Sequence, residues 1–236
     1  MNAEVRTASK RKKTAILVFL LVIVPSGLFL VRSGHHHFRQ LPYIGEKEVN
    51  APGDTSYFTV PPFSFTDQDG HTITDETVKD KVLVVDFIFT SCPKQCPRMT
   101  TEMQQLYFKL QEKIGDDGLK GVMFLSHSVD PEHDTPEVLK EYAHKYQADT
   151  AHWKFLTGDA TTIYRQGNQG YLLSALRDST AADQFVHSPN FVLVDKRRHI
   201  RGVYDGTVTA SVDTLSTDIQ ALLSEEHDRM LAAKKK

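Results

Sequence analysis

The chain is poor in cysteine and carries almost no net charge. It has 236 residues, two cysteines, one tryptophan and a formal net charge of −2, with a sequence pI near 6.6. Two cysteines allow at most one intrachain disulfide, which excludes a scaffold held by several bridges. The balanced charge leaves no basic surface that would indicate a nucleic-acid partner. No internal repeat or low-complexity block occurs, and 40% hydrophobic residues suffice for a globular core.

Both cysteines lie in one short turn. Cys92 and Cys96 are four positions apart in the segment TSCPKQCP. Positions i and i+4 on a helical turn face the same side, so both sulfurs can converge on one ion. The pair therefore predicts either a disulfide that opens and closes or two thiolates that hold a soft metal. A structural disulfide is a third interpretation, but a bridge across so short a loop constrains the unfolded chain little.

An uncharged apolar run occupies residues 14–31. It is just long enough to cross a bilayer as a helix, and the basic residues before it predict a cytoplasmic N-terminus. A cleaved signal peptide is the alternative, but no small-x-small cleavage site follows the run. The sequence predicts a single-pass protein of the cell (inner) membrane, with its C-terminal domain on the periplasmic side. Its segments are a basic cytoplasmic tail at 1–13, an anchor at 14–31, and a tether at 32–53.

The rest of the chain alternates between strand and helix patterns, which predicts an α/β domain with a mixed central sheet over residues 54–231. Nearly continuous apolar runs at 82–90 and 122–129 predict buried strands, and 191–204 predicts a hairpin. Amphipathic or capped segments predict helices, with Pro97 opening the first, at 98–113, 134–146, 160–166 and 212–231. Asp130 and Asp134 are expected to cap the rim and the second of these helices rather than to bind metal. A disordered basic tail is expected at 232–236.

This order places the thiols at the carboxyl end of a central strand and beside the N-terminus of a helix. The positive end of the helix dipole and the unpaired backbone N–H groups stabilise thiolates there. Pro93 and Pro97 stiffen the turn. Because the domain is predicted to be exported, its cysteines must be kept reduced or loaded with metal to avoid oxidation.

Two thiolates leave a copper(I) ion in need of one more neutral or soft ligand, and imidazole suits it. His187 is the leading candidate, because it lies in the loop before the strand at 191–195. If that strand neighbours the strand at 82–90, the loop faces the cysteine turn. His127, near the end of the strand at 122–129, and His133, in the loop after it, are alternatives on the same rim, the edge of the sheet that carries the cysteine turn. Five other histidines are expected to be solvated: His71, His144, His152, His199 and His227.

Three segments resemble the Sco/SenC family of copper-binding, thioredoxin-like proteins. They are residues 86–97 with the CPKQCP turn, residues 128–142 with VDPEHDTPEVL, and residues 153–158. The similarity covers roughly residues 61–225. The predicted membrane anchor before the domain also resembles the arrangement found in that family. Two positions depart from the expected pattern. Val186 stands where family members often carry an aspartate, and Pro189 falls where thioredoxins place a proline facing their active cysteines.

The resemblance implies a thioredoxin-like fold with Cys92, Cys96 and His187 as copper ligands. It also implies a metallochaperone that delivers copper to the binuclear copper site of cytochrome c oxidase subunit II. A thiol reductant is then an expected partner, because the cysteines must be reduced to bind copper.

Two other functions remain open on the sequence. In a membrane-anchored thiol–disulfide oxidoreductase, Cys92 would attack and Cys96 would resolve, keeping exported cysteines reduced. A CxxxC spacing and a distal histidine are less typical of that enzyme than of a metal carrier. A purely structural exported domain would keep the two cysteines permanently bridged, which leaves their strand–turn–helix position unexplained. Whether the protein is an enzyme stays open, with the metallochaperone favoured.

Overall fold

The computed structural model describes Phe19 and residues 40–51, 54–173 and 188–234. The chain divides into two units, Met1–Phe38 and Arg39–Lys236. The predicted cytoplasmic tail at 1–13 and the anchor at 14–31 lie outside the described residues, apart from Phe19. Within the described ranges, none of the helices combines the length and the apolar character needed to cross a membrane.

The second unit contains strands and helices in alternation. The strands are β1 (Lys47–Ala51), β2 (Asp54–Tyr57), β3 (Ser64–Asp67), β4 (Thr72–Thr74), β5 (Val82–Ile88), β6 (Val122–Ser128), β7 (Trp153–Thr157), β8 (Asn190–Val194) and β9 (Ile200–Asp205). The helices are α1 (Gln95–Leu119), α2 (Pro136–Lys145), α3 (Ala160–Arg165) and α4 (Thr209–Ala233), with a π-helical turn at Gln166–Gly170 after α3.

The main sheet has seven strands in the order β4-β3-β7-β6-β5-β8-β9. β5, β6 and β7 are parallel, whereas β3 and β8 pair antiparallel with their neighbours. This confirms the predicted α/β domain with a mixed sheet. It also confirms that the hairpin β8–β9 lies beside β5, which was the condition for placing the loop before β8 near the cysteine turn.

β5 lies at the centre of the sheet, and all seven of its residues are buried. Successive side chains of a strand point to opposite faces. Val84 and Ile88 join the core formed with α1 and α4, whereas Val85 and Phe87 join a second core on the other face. Asp86 has the parity of Val84 and Ile88, so its carboxyl group enters the α1 side of the sheet.

The first helix is longer than predicted at both ends. α1 begins at Gln95, two residues before Pro97, and continues to Leu119 through a kink at Gly115 with φ 65°. Proline is tolerated in a first helical turn because the N–H groups of that turn have no intrahelical partner. Glycine adopts a positive φ without a Cβ clash, so Gly115 bends the helix where the sequence predicted its end. Cys96 is therefore part of the helix rather than of the loop before it.

The predicted tether at 32–53 overlaps the folded unit. Leu41 is buried, Ile44 donates its N–H to the Ile200 carbonyl at 2.9 Å, and the β1–β2 hairpin follows. The guanidinium of Arg201 donates to the main-chain carbonyls of Leu41 at 2.7 Å and Pro42 at 3.0 Å. At the other end, α4 runs to Ala233, into the tail predicted at 232–236. The domain accordingly extends beyond the predicted limits 54–231.

Candidate metal centre

The cysteine turn joins the end of β5 to the beginning of α1. Both cysteines are free thiols, with Cys92 partly exposed and Cys96 buried. Lys94, at the N-cap position of α1, makes no side-chain capping hydrogen bond. Instead, Cys92 Sγ accepts the N–H of Cys96 at 3.4 Å. A sulfur thus takes the place of the capping oxygen, which brings it to the electropositive end of the helix.

The two thiols differ in acidity. Burial opposes ionisation of Cys92, but the backbone N–H groups of Cys96, Lys94 and Gln95 outweigh it and lower the Cys92 pKa below its ordinary value. Burial raises the pKa of Cys96 to about 12, and the neighbouring Cys92 sulfur and the Asp86 carboxyl add to that rise. Cys92 is therefore the first thiolate of the pair, and Cys96 holds its proton until a cation or an electrophile arrives.

Asp86 is a buried carboxyl group on the same side of the sheet as Cys96. Burial raises its pKa to about 7, although Ser126 Oγ donates to it at 2.6 Å. Trp153 Nε1 in turn donates to Ser126 Oγ at 2.9 Å, which fixes the hydroxyl. No role was predicted for Asp86 from the sequence. The signal for it in the sequence is a single carboxylate in an otherwise apolar strand, six residues before Cys92.

Asp134 connects the cysteine turn to the loop after β6. Its carboxylate is fully buried and accepts the Thr90 N–H at 3.0 Å and hydroxyls of Thr90 and Ser128, each at 2.5 Å. The N-cap of α2 is Thr135, whose hydroxyl accepts the Val138 N–H. The prediction that Asp134 caps this helix is therefore wrong. The carboxylate instead holds Thr90, two residues before Cys92.

His133 lies on the rim predicted for it. Its Nδ1 is 2.8 Å from Asp134 Oδ1 and 3.3 Å from Thr90 Oγ1. The hydrogen bond to the Asp134 carboxylate raises the pKa of His133. About half of the side chain, 53%, remains exposed to solvent. The imidazole is therefore oriented from one side by a buried carboxylate and open to solvent on the other.

His127 is not on the rim. It is completely buried. Its ring is stacked on Phe87 with the centroids 4.9 Å apart, and it makes a T-shaped contact with Phe65 with the centroids 5.0 Å apart. Neither of its ring nitrogens has a hydrogen-bond partner in the described part of the chain. Burial lowers its pKa to about 3, so the ring stays neutral. His127 belongs to the core on the face opposite α1, and the prediction of a rim ligand is wrong for this residue.

His187, the predicted third ligand, and Val186 lie outside the described residues. The chain is described again from Ser188. Val192 pairs with Val85, so β8 begins at the edge of the sheet where β5 ends and the cysteine turn lies. The Pro189 carbonyl accepts the Gly206 N–H at 2.7 Å, and no cis peptide bond occurs in the described ranges. His187 as a ligand stays a prediction.

Of the other described histidines, His71, His152 and His199 make their contacts away from the cysteine turn. His199 is held by the Phe58 carbonyl, which lies 2.9 Å from its Nδ1, so it is not simply solvated. His71 forms a cluster with Asp67 and Asp69 that has the spacing of a cation site. Lys154 lies 3.0 Å from Asp67 and Lys140 lies 2.9 Å from Asp69, so lysines already compensate these carboxylates. The cluster closes the β3–β4 hairpin turn.

Two thiols at one helix N-terminus form a soft donor set. Such a set suits copper(I), zinc or a reversible disulfide, and not the oxygen-preferring cations calcium and magnesium. The arrangement of Cys92 and Cys96, both free thiols, thus fits both chemistries predicted from the sequence.

Comparison with known proteins tests the family resemblance seen in the sequence. Residues 52–224 match the SCO1/SenC family model. The SCO1 protein homolog of Bacillus subtilis (strain 168) is 32% identical over 168 residues, which are 71% of this chain and 84% of that protein. The solved structure of BsSco, a member of the Sco family of cytochrome c oxidase assembly proteins with a disulfide switch, superposes with a TM-score of 0.60. It is 32% identical, over 71% of this chain and 94% of that one.

A solved structure of Bradyrhizobium japonicum ScoI with copper bound has a TM-score of 0.54 at 24% identity, over 70% of this chain and 99% of that one. At that identity the likeness shows the fold alone. The predicted thioredoxin-like α/β fold is confirmed by these superpositions. The family suggested by the CPKQCP and VDPEHDTPEVL segments is confirmed as well: this chain belongs to the SCO1/SenC family.

Proposed function

We propose that this protein is a membrane-anchored copper metallochaperone. It binds copper through the thiolates of Cys92 and Cys96 and the imidazole of His187, and it delivers the ion to the binuclear copper site of cytochrome c oxidase subunit II. The observation that carries the proposal is the pair of free thiols at the N-terminus of α1, where Cys92 Sγ accepts the Cys96 N–H at 3.4 Å. The likeness to BsSco, a protein named for cytochrome c oxidase assembly, supports it.

The thiol acidities suggest an order of binding. Cys92 offers a thiolate first, because its pKa is lowered, and the positive charge of the ion then favours loss of the Cys96 proton. A neutral imidazole completes a set of soft ligands without adding negative charge. Transfer to an acceptor proceeds by exchange of one ligand at a time, with no change in the oxidation state of the ion.

The location follows from the N-terminal pattern. The uncharged run at 14–31 anchors the chain in the cell (inner) membrane, with the basic residues 1–13 in the cytoplasm and the folded unit on the exported side. An exported cysteine pair is exposed to oxidation, so a thiol reductant is an expected partner. The acceptor and the carrier then lie in the same compartment.

The experiment is an anaerobic copper(I) titration of the reduced full-length chain in mild detergent, in competition with a chromophoric chelator. His187→Ala is expected to lower the copper affinity by at least about tenfold, because one of three ligands is lost. His71→Ala is the matched control, since the His71 side chain is 73% exposed and lies at the β3–β4 turn. Equal affinities for His187→Ala and wild type would remove His187 from the site.

A thiol–disulfide oxidoreductase is the second candidate. The acidity difference between Cys92 and Cys96 favours it, because an exposed thiolate beside a buried protonated thiol is the arrangement of an attacking and a resolving cysteine. Its test is the reduction potential of the pair together with turnover of a disulfide substrate. A potential between about −270 and −120 mV with rapid turnover would favour the enzyme.

A further inference from the structure

We propose that His133 is an accessory copper ligand through which the ion enters or leaves the cysteine pair. The proposal rests on the proposed function, because it assumes that Cys92 and Cys96 bind copper. It adds a second imidazole to the site, on the loop after β6 rather than on the loop before β8. The residues that carry it are His133, Asp134 and Thr90.

The pairing with Asp134 selects the nitrogen that can bind metal. Asp134 Oδ1 lies 2.8 Å from His133 Nδ1, and a carboxylate can only accept, so Nδ1 carries the proton of this hydrogen bond. The lone pair of the neutral ring is then on Nε2. Metal-binding histidines have this arrangement, with the second ring nitrogen donating to a carboxylate that fixes the tautomer and the orientation of the ring. The side chain is 53% exposed, so Nε2 is open to an incoming ion.

The same carboxylate links the imidazole to the cysteine turn. Asp134 is fully buried and accepts both the N–H and the hydroxyl of Thr90, whose Oγ1 is also 3.3 Å from His133 Nδ1. Thr90 precedes Cys92 by two residues. The ring is therefore held against the segment that carries the first thiolate. Asp130 and Glu132 on the same loop add negative charge, which favours a cation there.

His133 is not a resident third ligand. Within the described ranges, the group of potential ligands whose donor atoms all lie within 4.8 Å of one another is formed by Asp67, Asp69 and His71. Cys92, Cys96 and His133 do not form such a group. A histidine that lies beside the thiol pair, but whose donor atom does not converge with both sulfurs, suits the exchange of copper rather than its storage. We therefore assign His133 to the step in which copper moves between solvent or a partner and the thiol pair.

The exchange step balances without an oxidant or a reductant. The Nε2 lone pair forms a bond to copper(I) as one copper–sulfur bond breaks, and the released thiolate keeps its electron pair. Where Nε2 carries a proton, that proton passes to water as the ion binds. The ion remains copper(I), and Nδ1 keeps its hydrogen bond to Asp134 throughout.

The test measures the rate of copper(I) transfer from the loaded full-length chain, in mild detergent without oxygen, to an excess of bathocuproine disulfonate by stopped-flow absorbance. The variant is His133→Asn, because the asparagine amide can still donate to Asp134 but has no Nε2. Transfer is expected to slow about tenfold, whereas the equilibrium copper affinity changes less than about twofold. A direct readout accompanies it: the ¹⁵N shift of His133 Nε2 should change when copper(I) is added to the wild type beyond one equivalent, because the thiol pair is then already occupied.

His152→Asn is the matched control. The His152 Nδ1 is 3.0 Å from Asp149 Oδ2, which repeats the carboxylate pairing of His133. His152 precedes β7, however, so it lies at the opposite end of the parallel strands from the cysteine turn. Its transfer rate should equal that of the wild type.

The outcomes separate the two proposals. If copper affinity depends on Cys92 and Cys96 but His133→Asn transfers copper at the wild-type rate, the role of His133 is refuted and the proposed function stands. If His133→Asn lowers the equilibrium affinity as much as Cys96→Ser does, His133 is a resident ligand and the exchange role is refuted. If Cys96→Ser binds copper as the wild type does, the proposed function and this inference both fail.

Discussion

Asp134→Ala is expected to lower the free energy of unfolding by about 3–5 kcal/mol and to loosen the cysteine turn. The carboxylate is completely buried and accepts four hydrogen bonds, from the Thr90 N–H, the Thr90 and Ser128 hydroxyls, and His133 Nδ1. Alanine removes every acceptor at once and leaves the half-buried Thr90 groups and the buried Ser128 hydroxyl without their partner. Urea-induced unfolding measures the stability, and copper affinity of the same variant measures the effect on the turn.

Asp159→Ala is the control for Asp134→Ala. Asp159 also precedes a helix, but its exposed carboxylate only caps α3, where it accepts the Thr162 N–H at 2.8 Å. Loss of such a cap costs about 1 kcal/mol. If the two variants were destabilised equally, Asp134 would be an ordinary helix cap, as the sequence suggested, and its link to the cysteine turn would have no energetic weight.

Arg201→Met should also destabilise the domain by about 3–5 kcal/mol, because it leaves buried partners unpaired. The Arg201 side chain is 1% exposed, and it bonds Asp195 and Glu225, each at 3.1 Å, as well as the carbonyls of Leu41 and Pro42. Its guanidinium also lies over the Tyr43 ring, 4.2 Å from the centroid. Methionine fills similar volume without any donor. Urea-induced unfolding is again the measurement.

The control for Arg201→Met is Arg197→Met. The Arg197 side chain is 49% exposed and lies 3.9 Å from the same Asp195. Exposed ion pairs contribute about 0–1 kcal/mol, so the control should unfold near the wild type. A second readout is proteolysis near residues 40–46, which should accelerate in Arg201→Met because the segment loses its main-chain contacts. Unchanged proteolysis together with unchanged stability would show that Arg201 does not secure this segment.

The central strands could be predicted from the sequence because each is marked by an apolar pattern within its own few residues. β5 is apolar except for Asp86, and β6 begins with four apolar residues. Strands buried on both faces require such predominantly apolar runs. The position of Cys92 and Cys96 after β5 followed from the order of the elements. The segment at 40–51 could not be predicted, because its partner Arg201 is about 160 positions away and binds main-chain carbonyls, which carry no sequence signal.

Side-chain roles around the site depended on orientation, which sequence patterns determine poorly. His127 lies inside β6 and His133 in the loop after it, and both were predicted on the same rim, yet one is enclosed by aromatic rings and the other is half-exposed. Asp134 and Thr135 are both suitable helix caps, and only the fold shows that Thr135 caps α2 and Asp134 turns toward Thr90. Asp86 was visible as a charge in an apolar strand, but its proximity to Cys96 requires the packing of α1 on β5.

The most direct test of the copper proposal is copper K-edge X-ray absorption of the full-length chain loaded with one equivalent of copper(I). The account predicts two sulfur neighbours and a nitrogen neighbour with the multiple scattering of an imidazole. Cys96→Ser should lose one sulfur, and His187→Ala should lose the imidazole. Coordination by nitrogen and oxygen alone, or a sulfur count unchanged in Cys96→Ser, would contradict the claim that the turn between β5 and α1 is a copper site.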